Sequence, residues 1–214
     1  MSEPSIRRRV AVELVALAVL TLGYLVVLPR RPVGLDAGLA LFALALVGLT
    51  ARETRRRIWG PPPGSTRERL RHSATHMLVG TAAVMLLFAV VGALAGGCSL
   101  LRPTLAVGLV LFVPWALAQQ TLFQFYLLGR LRALLPRASP VTLAILNGIL
   151  YGLVHLPEWD VTLLTMVGGS VWSWYYLRDR CLTPIALSHA ALGTVYFSWV
   201  RCRDLAVEWL DWSA

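Results

Sequence analysis

Apolar residues fill this chain in long runs broken by short polar connections. The runs cover residues 10–28, 33–50, 74–95, a stretch from about 104 that continues as a helix to 135, then 141–156, 161–177 and 183–199. Each approaches the ~20 residues that a helix needs to cross ~30 Å of hydrocarbon. In lipid a backbone must satisfy its own hydrogen bonds, so such runs fold as helices. The pattern predicts an all-α, polytopic transmembrane helix bundle of about seven spans. The fifth and sixth runs are short, which suits helices inside a bundle better than helices facing lipid. The first run follows Arg7-Arg8-Arg9 and so looks like a signal peptide. It is too long for the apolar region of one, and Pro29-Arg30-Arg31-Pro32 follows in place of a small-residue cleavage site, so it is read as the first span.

Composition agrees with this reading. Of the 214 residues, 57% are hydrophobic and 14% charged, with mean hydropathy +0.66. A soluble domain would carry about 25% charged residues. The longest connection, 51–73, is too short to fold alone, so residues 1–214 read as a single membrane-embedded domain. The net charge of +9 comes from 20 arginines, with no lysine, against 11 acids. These arginines cluster at the ends of the apolar runs, which is the pattern of membrane orientation and not of nucleic-acid binding. Alternate connections hold 15 and 5 of them, which predicts a cytoplasmic N-terminus and an outside C-terminus. An all-arginine basic set points to a GC-rich bacterium, and hence to a multi-pass protein of the plasma (bacterial inner) membrane.

Two further stretches follow from charge. Residues 52–72 combine seven arginines with Pro61-Pro62-Pro63-Gly64. They read as a cytoplasmic orientation determinant in preference to a lipid head-group site. Leu205, Val207, Leu210 and Trp212, set among charges, predict a short interfacial helix. Cys98, Cys181 and Cys202 have no CxxC spacing and are odd in number, and they are read as no disulfide framework and no zinc site.

Polar side chains at membrane depth are costly and need a partner or a task. Gln119, Gln120 and Gln124 fall in the fourth run. On a helix residues 120 and 124 share a face, with 119 turned 100° away. His155 ends the fifth run, with Tyr151 one turn earlier on its face, and His189 lies early in the seventh. Single amides and imidazoles in a membrane most often serve as packing contacts between helices. Five on three spans, the fourth, fifth and seventh, point instead to one shared polar site, with Tyr151, Phe123 and Ser188 beside it as substrate-binding residues. Counting from the loop between the fourth and fifth spans sets Gln120 and His155 at similar height, with His189 lower. His72 and His76 are interfacial and are given no role. No metal-ligand set and no cofactor motif is present.

These residues resemble the CPBP family, the CAAX-protease and bacteriocin-processing membrane proteins, over about 104–199. The family's Glu-Glu-x-x-x-Arg motif aligns with Gln119-Gln120-Thr-Leu-Phe-Gln124, followed by Phe125-Tyr126-Leu127. Its Phe-x-x-x-His motif aligns with Tyr151-x-x-x-His155, with Gly152 and Leu156 in place. Its last motif, a histidine followed four residues on by asparagine, aligns with His189 and Gly193, led in by Arg178, Leu182 and Pro184-Ile185. The resemblance implies an intramembrane endopeptidase acting on membrane-associated peptides. In the family a glutamate, helped by histidine, activates water; the second histidine and the asparagine stabilise the oxyanion, or acids and histidines together bind a metal.

In this chain both glutamates and the arginine are glutamine, and the asparagine is glycine. Glutamine neither takes a proton near neutral pH nor binds a divalent metal well. Three functions therefore stand side by side. One is an active CPBP-type peptidase with His155 as base and the glutamines positioning water or the scissile carbonyl. The second is a non-catalytic pseudoprotease that binds a membrane peptide or lipidated partner. The third is a repurposed enzyme acting on an apolar lipid or isoprenoid. Membrane lipids and a membrane-bound peptide are the expected partners, with no nucleic acid among them.

Overall fold

The structure, a computed structural model, describes residues 3–27, 45, 47–49, 52, 66–95, 98–100 and 102–210. Most of the expected second span, most of the arginine-rich 52–72 segment and Trp212 lie outside the described residues. All described elements are helical. They are α1 (Glu3–Val27), α2 (Arg67–Ala95), α3 (Leu105–Gln120), the π-helix π1 (Thr121–Leu127), α4 (Leu128–Leu134), α5 (Pro140–Leu153), α6 (Trp159–Asp179), α7 (Thr183–Val195), a second π-helix π2 (Tyr196–Val200) and α8 (Leu205–Leu210). Two stretches, Arg71–Ala95 and Leu105–Leu134, are long and apolar enough to cross a membrane by length and composition; Pro140–Leu153 is a shorter apolar helix. Valines and leucines such as Leu78, Leu86, Val110 and Val167 stand exposed on the helix surfaces. Apolar surface of that extent is what lipid covers.

Local sequence sets the helix ends. Ser139 caps α5, its hydroxyl accepting from the Thr142 amide at 3.0 Å, and Pro140 occupies the first turn, where no N–H is needed. Asp204 caps α8 through the Ala206 and Val207 amides, at 3.1 and 3.3 Å. Its carboxyl is held below the ordinary carboxylate value, chiefly by the Thr104 hydroxyl that donates to it. Pro114 lies inside α3, tolerated as prolines are in membrane helices. Three boundaries differ from those read in the sequence. The fifth run stops being helical at Leu153, because the chain turns ahead of Pro157, so His155 sits in a turn after the helix. The sixth run lies in a longer helix than its apolar residues suggest, with α6 running 21 residues. The helix toward 135 does continue, but through seven residues of π-helix.

The chain forms two compact units. The first joins Met1–Ile58 to Thr121–Arg178, and the second joins Trp59–Gln120 to Asp179–Ala214. In the first, α5 and α6 approach at backbone distance. A Cβ on Gly148 would lie 2.5 Å from the Met166 carbonyl oxygen, and one on Gly152 would lie 2.5 Å from that of Thr162. The spacing Gly148-x-x-x-Gly152 puts both on one face, the small-residue seam of membrane helix pairs. Glu13 of α1 binds Arg130 at 3.0 Å, beside the Tyr126 ring.

In the second unit, α7 packs against α2 and α3. The far ends of these helices are tied by a Cys98–Cys202 disulfide, which corrects the expectation of none. Two of the three cysteines pair because the fold brings positions 104 residues apart to a Cα separation of 5.0 Å, which spacing in sequence does not reveal. Cys181 remains a free thiol whose pKa burial pushes up. Trp199 Nε1 donates to the Leu100 carbonyl at 3.0 Å, closing the same end. Ser73 donates to the buried Asp179 at the other.

Candidate functional site

Two polar clusters lie in the helices, one in each unit. In the second unit α3 delivers Gln120 and α7 delivers His189. Both are buried, Gln120 completely, and Gln120 Nε2 lies 3.3 Å from His189 Nδ1. An amide nitrogen only donates, so Nδ1 accepts and the neutral ring carries its proton on Nε2. The Phe112 ring meets the imidazole edge-on, centroids 5.6 Å apart at 81°. Phe112 also covers Gly193, where an added Cβ would come within 2.5 Å of the aromatic ring. An asparagine at 193 therefore does not fit unless Phe112 moves. Ser188, the neighbour of His189, spends its hydroxyl on Thr81 at 2.7 Å, a contact between α7 and α2. Gln119 is half-buried on the last turn of α3.

In the first unit π1 carries Phe123 and Gln124. Phe123 stacks on Tyr151 of α5, centroids 4.2 Å apart and nearly parallel at 16°. Tyr151, buried completely, also stands 6.0 Å from the His155 ring and 6.0 Å from Trp172 of α6. His155 keeps company with Tyr151 although the helix ends between them. Its amide donates to the Gly152 carbonyl at 2.9 Å and its carbonyl accepts from Glu158, while its ring Nε2 is buried with no partner.

Gln124 does not share the partner of Gln120. Its Oε1 accepts from Asn147 Nδ2 of α5 at 3.3 Å, and the same nitrogen donates to Ser173 Oγ of α6 at 2.8 Å. A π-helix turns less per residue than an α-helix, so Gln124 is rotated about the helix axis from the place that α-helical spacing predicts.

The expected residues thus gather as Gln120 with His189, as Phe123 with Tyr151 and His155, and as Gln124 alone with residues not anticipated. Asn147, Ser173 and Phe112 were missed. Asn147 was a polar residue inside an apolar run and could have been flagged by the same rule as the glutamines. Phe112 had no sequence signal, because its role comes from the space at Gly193.

Chemically, both clusters are neutral. Amides, hydroxyls and imidazoles surround them, with no carboxylate hydrogen-bonded to either histidine among the bonds described. Among the described residues no three His, Cys, Asp or Glu side chains gather to hold a metal. At 119, 120 and 124 the side chains are amides, which fit a divalent ion poorly.

A family model described as type II CAAX prenyl endopeptidase Rce1-like matches residues 80–195. That match spans more than half of the chain and takes in every motif position named above. No curated protein and no solved structure matches the chain. The chain belongs to the Rce1-like family, a family of CAAX-type intramembrane proteases.

Proposed function

We propose that this member of the CAAX endopeptidase family engages membrane-anchored, lipid-modified peptides as its relatives' substrates are engaged, and holds them without hydrolysing them. The observation that carries this reading is the Gln120–His189 pair under Phe112. A general base is worth ~10²–10⁴-fold in rate, and the amide at 120 cannot supply one. A donor to the oxyanion adds ~3 kcal/mol, and the ring over Gly193 takes up its space. Two losses, at 120 and at 193, each met by a packed neutral group, fit a binding protein better than decay. The reading takes residues 104–199 as the core that carries the site.

A second reading has its own observation. The His155 ring nitrogen Nε2 is buried and unpartnered beside Tyr151, so no other described group occupies it. On that reading the chain is a peptidase with His155 as base.

The setting we propose is a plasma membrane, crossed several times, with a cytoplasmic N-terminus. The arginine bias supports this orientation, and so do the cysteines. Disulfides persist on the oxidising side of a membrane. Cys98 and Cys202 fall in connections that the arginine count assigns to the outside, whereas the free Cys181 falls in one assigned to the inside.

The test uses the purified chain in detergent with a fluorescent, farnesylated CAAX-type peptide, scoring binding and cleavage separately. Wild type is expected to bind saturably and leave the peptide intact. Cleavage by wild type that disappears in His155→Ala would replace this reading by the second.

A further inference from the structure

The relay Ser173–Asn147–Gln124 lies wholly within the first unit, and its hydrogen-bond directions can be worked out from one end. Ser173 Oγ donates to the Gly169 carbonyl at 2.6 Å, which uses its only proton. Toward Asn147 it can therefore only accept, so the side of Asn147 facing Ser173 is its NH₂ group. The second hydrogen of that NH₂ points to Gln124, which must present its oxygen. One serine proton thus fixes the orientation of both amides. Each amide is left with its other atom. Gln124 Nε2, a donor, and Asn147 Oδ1, an acceptor, have no partner, and both side chains are completely buried.

An unpaired buried polar atom is costly, so two of opposite kind on hydrogen-bonded neighbouring side chains mark a place that is completed by something else. The occupant must accept from Gln124 and donate to Asn147. A carboxylate satisfies the first and is repelled by the second, and an ammonium group does the reverse. A neutral secondary amide offers both functions from one planar group, its C=O and N–H on opposite edges, so Gln124 and Asn147 would flank it. We propose that Gln124 and Asn147 form a subsite that binds one backbone peptide group of the membrane-anchored ligand. The subsite rests on the functional reading above and adds to it the group that is recognised. The ligand gains access when the Gln124 side chain, which has three rotatable bonds, swings aside and returns onto the bound group. Position 124 is an arginine in the family motif, so the change to glutamine exchanges a charged donor for a neutral one whose direction Asn147 sets.

An amide-to-ester scan tests this on the unmodified protein. In a series of farnesylated CAAX-type peptides, one backbone N–H at a time is replaced by an ester oxygen, and binding is measured by fluorescence anisotropy. One position is expected to lose about 5- to 10-fold in affinity while the others change less than about 2-fold, the size of one hydrogen bond. In Asn147→Leu the parent peptide binds more weakly and that position no longer stands out. If peptide binds and no single ester matters, the subsite is overturned and the functional reading survives; a buried water in its place would give this result. If no peptide binds, the functional reading falls and takes the subsite with it.

Discussion

The Gln120 cluster and the Gln124 cluster begin from glutamines one helical turn apart, yet the first is closed over by an aromatic ring and the second is built of amides and hydroxyls. Around Gln120 the imidazole of His189 accepts a hydrogen bond from the amide, and Phe112 fills the space at Gly193. Around Gln124 the partners are themselves amides and hydroxyls, and the relay ends in one free donor and one free acceptor. A neutral substitution at a catalytic position can therefore either shut a site with packing or turn it toward binding. On the proposed reading each outcome belongs to a different unit of this chain.

The contrast can be broken most severely at the α5–α6 seam, which holds Asn147 and Ser173 within reach of each other. Gly152→Val puts a branched side chain where even a Cβ would lie 2.5 Å from the Thr162 carbonyl oxygen. Overpacking typically costs 1–3 kcal/mol and more against backbone. The variant is expected to accumulate poorly in membranes, and what remains should melt well below wild type in detergent.

Next comes an attempt to reopen the closed cluster. Gln120→Glu alone is expected to give slow cleavage of a CAAX-type peptide. Adding Phe112→Ala with Gly193→Asn should raise it roughly 10²-fold or more, since the oxyanion donor then has both its group and its space. Equal rates for the single and the triple variant would show that the Phe112 ring is not what closes the cluster.

The disulfide gives the third effect. Cys98→Ser is expected to lower unfolding free energy by about 2–4 kcal/mol, read as a drop in melting temperature that reductant reproduces in wild type. Since the bond lies in the second unit, the peptide affinity assigned to Gln124 should change little.

The smallest effect is at Asp204. Asp204→Ala removes the cap of α8 and should cost about 1 kcal/mol. Because the folded carboxyl titrates below its ordinary value of 3.8, its stabilising contribution is present above that pH and is lost as the pH falls below it. Melting temperature followed from pH 7 downward should fall more steeply in wild type than in Asp204→Asn below about pH 4.

Much of this was legible in the sequence because lipid makes polar residues conspicuous. Apolar runs located α1, α2 and the long helix from Leu105, and the rule that buried polar groups need partners singled out Gln120 and His189, which do pair. Element boundaries were harder. The turn ahead of Pro157 cut the fifth helix short and took His155 off it, while π1 moved Gln124 away from the partner its α-helical spacing promised. A π-helix carries no composition signal, so that shift could not be read beforehand. The Cys98–Cys202 bond and the Phe112–Gly193 contact depend on tertiary approach, which local spacing does not encode.

The central claim, that the site binds without cutting, is tested most directly by incubating wild-type protein in excess over a farnesylated CAAX-type peptide and following the peptide by mass spectrometry. The account predicts intact peptide recovered bound to the protein after many hours. Release of the C-terminal tripeptide by wild type, abolished in His155→Ala, would contradict it.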